Sequence, residues 1–263
     1  MGRRLGQHFL ASKSILERIA RAACPEREPL VIEIGAGRGA LTRFLVERAE
    51  RVIAIETDPR LAERLAERFA GAPNLTLVRA DVLKTDLGQW GPAVVAGNLP
   101  YYITSPILNK VLALGPLLRR AVFLVQKEVA ERLTAAPGGR DYGFVTVRTA
   151  LVTKPELLFA VKPSAFRPPP KVDSAVVKLE MRAPEERAQV DDPAAFLEFA
   201  ARCFHQKRKT IRNNLAAVYP RALLDACPET GRRAEQLSLE ELAALFGRLR
   251  TRSPESLSPP EPG

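Results

Sequence analysis

The chain has 263 residues, 46% of them hydrophobic, with a formal net charge of +10 and a sequence pI near 9.9. Such a length and composition suit one large domain plus a small one and exclude global disorder. With 3 scattered cysteines and 2 histidines, the chain offers neither a zinc cluster nor a disulfide framework.

An arginine-rich positive balance suits a polyanionic partner, with nucleic acid ahead of an anionic membrane surface. No apolar run is long enough to suggest a membrane span, and the N-terminus lacks the apolar core of a signal peptide. The expected compartment is therefore the cytoplasm.

The first segment, Gly6-Gln7-His8-Phe9-Leu10, is too apolar for a free tail and is expected to fold back on the body. A helix should start near Ser14, which stands in capping-box spacing to Glu17. Leu30 to Ile34 reads as a buried strand running into the glycine turn Gly35-Ala36-Gly37-Arg38-Gly39, with a helix predicted from Ala40 to Ala49. The next strand, Val52 to Ile55, ends at Glu56. A carboxylate about 20 residues past such a turn is placed to accept from ribose hydroxyls. Asp58-Pro59 opens a helix to Ala70, and the strand Leu75 to Val78 is followed by Asp81, either a turn residue or an acceptor for an adenine amino group.

Ala93 to Ala96 reads as another buried strand, followed by Gly97-Asn98-Leu99-Pro100-Tyr101-Tyr102. In an open α/β sheet the carboxyl end of a strand is where ligands bind. Ser105-Pro106 reads as the N-cap and first-turn proline of a helix reaching Leu114. A strand from Ala121 to Val125 and a helix from Lys127 to Thr134 follow; Tyr142 to Val152 is ambiguous between the two. Leu157 to Val161 and Val172 to Leu179 read as strands around the proline-rich loop from Pro163 to Lys171. The alternation argues for an open, mostly parallel sheet.

Past Glu180 the pattern is helical only: Pro193 to Phe204, Lys207 to Val218 and Leu239 to Leu249. The run Lys207-Arg208-Lys209-Thr210-Ile211-Arg212 is strongly basic. Arg208 and Arg212, four apart on the predicted helix, are expected to share one face and could grip phosphates. The expected domains are 1–182, 183–250 and a disordered, Pro- and Ser-rich tail over 251–263.

In this order, the opening pentad, Glu33-Ile34-Gly35-Ala36-Gly37, Glu56, Asp81, Asn98-Leu99-Pro100-Tyr101, Gln126-Lys127-Glu128, Phe166 to Ser174 and Gln206 to Leu215 resemble the rRNA adenine N6-dimethyltransferases, most closely the bacterial small-subunit type. The resemblance runs from about Gly6 to Leu249. It departs from the family pattern at His8 and Tyr102, where many members carry Asn.

The resemblance implies an α/β, class I S-adenosylmethionine-dependent methyltransferase fold, Rossmann-like, with a small all-helical C-terminal domain that docks on rRNA through Lys207, Arg208, Lys209 and Arg212. It implies that His8, Leu10, Gly35, Glu56, Asp81 and Asn98 line S-adenosylmethionine, which leaves as S-adenosylhomocysteine. The implied substrate is a pair of adjacent adenosines near the 3′ end of 16S rRNA in an assembling small subunit; the protein is expected, on its own composition and chemistry, to be a monomer that needs no metal and no membrane.

The adenine N6 amine is a poor nucleophile, because its lone pair is delocalised into the ring. Acceptance of its two hydrogens by the Asn98 side-chain oxygen and the Pro100 carbonyl is expected to aim it at the sulfonium methyl. Tyr101 and Phe166 are expected to stack on the extruded base. The rival readings are a large-subunit (23S) methyltransferase of the macrolide-resistance type, a non-catalytic assembly factor, and an NAD-dependent oxidoreductase.

Overall fold

A computed structural model describes residues 8–251. Residues Gly6 and Gln7 of the opening pentad, and the tail beyond Thr251, lie outside them. The chain forms two compact units, one of residues 8–131 with 152–181, the other of 132–151 with 182–251.

The first unit opens with β1 (Phe9–Leu10) and α1 (Lys13–Ala23). The helix starts at Lys13 behind Ser12, so the capping box expected at Ser14 does not form; Ser14 Oγ meets Ser12 Oγ instead. There follow β2 (Glu28–Ile34), α2 (Thr42–Leu45), β3 (Ala49–Glu56), α3 (Pro59–Arg68), β4 (Leu75–Arg79), β5 (Ala93–Asn98), α4 (Thr104–Leu112) and β6 (Leu118–Gln126). After α5 (Lys127–Leu133) and α6 (Phe144–Val152), the strands resume with β7 (Thr153–Val161), β8 (Phe166–Arg167) and β9 (Ser174–Met181).

Seven strands make one sheet in the order β4-β3-β2-β5-β6-β9-β7. The first five are parallel; β9 runs antiparallel to both β6 and β7. Val31, Ile32, Val52, Ile53, Val94 and Val95 are fully buried in the central strands. Each such side chain contributes about 1.5–3 kcal/mol, and strands buried on both faces read as continuous apolar runs for this reason.

The chain leaves β2 for β3 on one side and returns to β5 on the other, so the strand order reverses between β2 and β5. Gly97 permits the close approach there: a Cβ on it would meet the Ile34 carbonyl oxygen at 2.5 Å. A crevice outside the strand ends at a reversal is the usual ligand site of such sheets.

The helix expected from Ala40 to Ala49 is only Thr42–Leu45, because Ala49 already pairs with Glu28 as the first residue of β3. Ser105 is no N-cap: a single 3-10 turn over Tyr101–Ile103 leads directly into α4, which begins at Thr104. The N-terminal segment does fold back, for β1 pairs antiparallel with β8 of the proline-rich loop.

In the second unit α6 resolves the ambiguous stretch as a helix. It is joined by α7 (Pro193–Cys203), α8 (Ile211–Leu215), α9 (Arg221–Asp225) and α10 (Leu239–Thr251). Phe196, Phe199 and Phe246 pack ring to ring at its centre, with centroids 5.4 to 6.4 Å apart.

The units divide between Met181 and Arg182, against an expected boundary after residue 182, but 132–151 groups with the C-terminal chain rather than with the sheet. The Gly138 N–H donates to the Glu235 carbonyl, the Lys207 ammonium donates to the Arg140 carbonyl, and the Tyr142 ring lies 6.0 Å from that of Phe204. Thr251, expected in the tail, is the last residue of α10.

Candidate active site

A cleft enclosing about 1150 Å³, its open mouth included, lies at the carboxyl ends of β2, β3, β4 and β5. His8, Leu10, Gly35, Glu56, Asp81, Asn98, Pro100 and Tyr101 all line it, together with Phe9, Glu33 and Tyr102.

Gly35 has φ +71°, which admits the tight turn out of β2, and its N–H donates to the Ile55 carbonyl at 2.9 Å. Phe9 closes the turn: its ring lies 3.3 Å from where a Cβ on Gly37 would stand, and the Arg38 guanidinium sits 4.3 Å over the ring.

Glu56 is buried, and its carboxylate accepts from the Gly37 N–H at 2.8 Å and the Asp58 N–H at 2.9 Å. A carboxylate has about four acceptor sites, so two remain once these bonds are made. Asp81 Oδ1 accepts from the Leu83 N–H at 2.9 Å, so this residue both shapes its turn and lines the cleft.

Asn98 ends β5. Its Nδ2 donates to the His8 carbonyl at 3.1 Å. A carbonyl can only accept, which fixes the amide with its nitrogen on His8 and its oxygen uncommitted. His8 is held in turn by its Nδ1, 2.9 Å from the Pro168 carbonyl, so that nitrogen carries the proton. The His8 ring stacks on Tyr101 with centroids 6.0 Å apart at 28°. The Tyr101 hydroxyl is 2.7 Å from Ser174 Oγ. Burial lifts the Tyr101 pKa above its ordinary value, and the Ser174 contact only partly offsets this.

Two expectations need correction. The Pro100 carbonyl already accepts from the Ile103 N–H and the Thr104 hydroxyl, both at 3.1 Å, so its lone pairs are spent on starting α4. Among the described residues no donor meets the Leu99 carbonyl, one residue earlier. Phe166 is fully buried (0% exposed) in the cluster that includes Leu10, Leu16 and Ile19, so its ring packs the core and not a substrate.

Glu33 was part of the glycine motif but carried no expected role. It is 2% exposed, with the Thr42 hydroxyl donating to it at 2.6 Å. Burial pushes its pKa up to about 7; Thr42 opposes the shift and the Glu56 charge adds to it. An acid inside an otherwise apolar strand was the available signal. Phe9 and Ser174 gave none, since their contacts are long-range.

The basic run departs from its predicted form. Residues 205–209 are turn, Thr210 caps α8 by accepting from the Asn213 N–H, and only Ile211–Leu215 is helical. Arg208 and Arg212 therefore do not share a helix face. Lys207, Arg208 and Lys209 are exposed, whereas Arg212 is half-buried with its Nε 3.1 Å from Asp225.

A glycine turn and an ordered carboxylate at the ends of β2 and β3, in a seven-stranded sheet that is parallel except for β9 running antiparallel between β6 and β7, is the arrangement of the class I S-adenosylmethionine-dependent methyltransferases. The cleft fits that donor, because the Glu56 carboxylate is pre-set by two backbone N–H groups beside the turn while apolar Ile55 and Val82 flank the space next to Asp81.

The family model for ribosomal RNA adenine dimethylase matches residues 2–250. The chain is 45% identical over 260 residues to the ribosomal RNA small subunit methyltransferase A of Acidobacterium capsulatum, covering 95% of this chain and 92% of that protein. It is 42% identical over 253 residues to the protein of the same name from Rubrobacter xylanophilus, covering 94% of each. Among solved structures it resembles a dimethyladenosine transferase from Plasmodium falciparum, at 28% identity and TM-score 0.82 over 93% of this chain and 98% of that one. It also resembles the 23S rRNA methyltransferase ErmE, at 33% identity and TM-score 0.77 over 92% and 99%. The chain belongs to the ribosomal RNA adenine dimethylase family; it is an rRNA adenine dimethyltransferase that uses S-adenosylmethionine.

Proposed function

We propose that this enzyme dimethylates N6 of two adjacent adenosines near the 3′ end of 16S rRNA in the assembling small subunit, as a cytoplasmic monomer without a membrane partner. The observation that carries the choice of subunit is the 45% identity, over nearly the full length, to a relative named for the small subunit. Among the described residues no helix is long and apolar enough to cross a membrane.

Bound S-adenosylmethionine supplies an electrophilic methyl on a sulfonium that departs as a neutral thioether. His8, Leu10, Gly35, Glu56, Asp81 and Asn98 hold it: Glu56 takes the ribose hydroxyls on its two remaining acceptor sites, and Asp81 takes the adenine amino group. The Asn98 oxygen, left uncommitted by the bond to His8, accepts one N6 hydrogen of the target adenine. With the Pro100 carbonyl occupied, the Leu99 carbonyl accepts the other. Both bonds favour a more pyramidal nitrogen whose lone pair is free to attack, an effect of orientation and pre-set dipoles. Tyr101, braced by Ser174 and packed by His8, offers its ring to the extruded base. In the second unit Lys207, Arg208 and Lys209 contact rRNA phosphates.

The likeness to ErmE favours one alternative, modification of large-subunit rRNA. Labelled methyl from S-adenosylmethionine should be offered to unmodified small subunits and to large-subunit rRNA. N6,N6-dimethyladenosine in the small subunit alone is the expected result; label confined to large-subunit rRNA would select the alternative. Cofactor binding without transfer to either would leave an assembly factor.

A further inference from the structure

We propose that the Tyr102 ring is a stacking platform for the nucleobase next to the adenosine being methylated, a task separate from that of Tyr101. The proposal rests on the rRNA reading above and specifies how the same site holds its substrate.

The two tyrosines share one 3-10 turn but not one environment. Tyr101 is half-buried, its hydroxyl meets Ser174 and its ring meets His8. Tyr102 is 61% exposed and still lines the cleft. Among the described residues only Val145 and Val172 are other large hydrophobics left exposed, and Tyr102 has neither a ring contact nor a hydrogen bond. An unpartnered aromatic ring at the edge of a binding cleft presents a free π-face to whatever enters it.

The reaction supplies what this ring lacks. To reach Asn98, the target base must leave its stack, and the flanking base then loses a neighbour on that side. An aromatic side chain replaces the lost neighbour, and because every base has a π-face the replacement does not depend on sequence. Nor does a π-face read the N6 group. The same ring can therefore take the flanking adenine before and after its own methylation, as an enzyme acting on two adjacent adenosines requires.

The test uses small subunits reconstituted without the methyl groups and with 2-aminopurine replacing each of the two adenosines in turn. With the full-length wild-type enzyme, fluorescence of 2-aminopurine beside the reacting adenosine should be quenched on binding. Tyr102→Ala and Tyr102→Leu should abolish that quench and raise KM for the subunit about tenfold. Tyr102→Trp should restore both, and the Kd for S-adenosylmethionine should stay within about twofold in every variant. Quench and KM unchanged in Tyr102→Ala would overturn the proposal, as would a Leu variant indistinguishable from wild type, or a loss confined to S-adenosylmethionine binding. Failure of the substrate reading is separable: a Tyr102-dependent quench without dimethyladenosine in the small subunit would sink that reading and keep the platform.

Discussion

At the strand ends, Glu56 and Asn98 are each held by backbone partners that leave specific acceptor sites to spare. In the turn after α7, Lys207, Arg208 and Lys209 stand exposed on chain that is neither helix nor strand. On the proposed function the first region works by fixed geometry, the second by charge density. A pre-set dipole in a water-poor cleft loses its effect when one atom is removed, whereas exposed charges act additively and are screened by salt. The consequences of substitution should differ in size, in additivity and in the condition that reveals them.

The largest effect should come from Asn98→Ala, which removes the oxygen proposed to accept an N6 hydrogen. We expect kcat to fall about a thousandfold or more while S-adenosylmethionine affinity stays within about tenfold, measured by single-turnover transfer and calorimetry. Turnover equal to wild type would place the chemistry elsewhere.

Phe166 sharpens the comparison, because it lies in a loop that the resemblance associates with the substrate and is packed as core. Phe166→Ala should cost about 3–5 kcal/mol in denaturant unfolding. Phe166→Leu, which keeps the fold, should retain kcat within about threefold. A large kcat loss in the Leu variant at unchanged stability would return the ring to the base.

Glu33 tests the electrostatics of the cleft. Its native pKa, pushed up to about 7 chiefly by burial, exceeds that of an unfolded glutamate. The native state therefore holds this proton more tightly. Its contribution to stability is full below the unfolded value, declines as pH rises, and is lost above pH 7. Glu33→Gln, which still accepts from Thr42, should gain about 2–3 kcal/mol on wild type between pH 5 and 8 in the ligand-free protein. A stability difference that does not vary with pH would show that Glu33 is not the titrating group.

The smallest effects belong to the basic turn. Replacing Lys207, Arg208 and Lys209 together with Gln should reduce the slope of log affinity against log salt by about 2–3. Arg212→Gln alone should change it little, because that guanidinium is already paired with Asp225. An unaltered slope in the triple variant would make the turn a solvated surface.

Most of the sheet was legible in the sequence. Strands buried on both faces must be apolar throughout, so Leu30 to Ile34, Val52 to Ile55 and Ala93 to Ala96 stood out without any knowledge of their partners. The glycine turn, Glu56 and Asn98 were legible too, because they sit at fixed places relative to those runs. The basic run misled. Residues 205–209 suit a helix on local propensity, but they turn before a Thr210 cap, and Ile211 donates its N–H to the Arg232 carbonyl.

By itself the sequence determined the parallel strands of the sheet, the glycine turn and the chemistry of the residues at each strand end, because these depend on local periodicity and on the few residue types that can do the work. Tertiary structure decided which atoms are free to act. The Pro100 carbonyl is spent on α4, the Asn98 oxygen is left over by a bond to a residue ninety positions away, and Phe166 is drawn into the core. It also decided that 132–151 joins the C-terminal helices. Hydrogen-bond capacity and burial are settled by neighbours brought together from distant parts of the chain, and no window of sequence contains them.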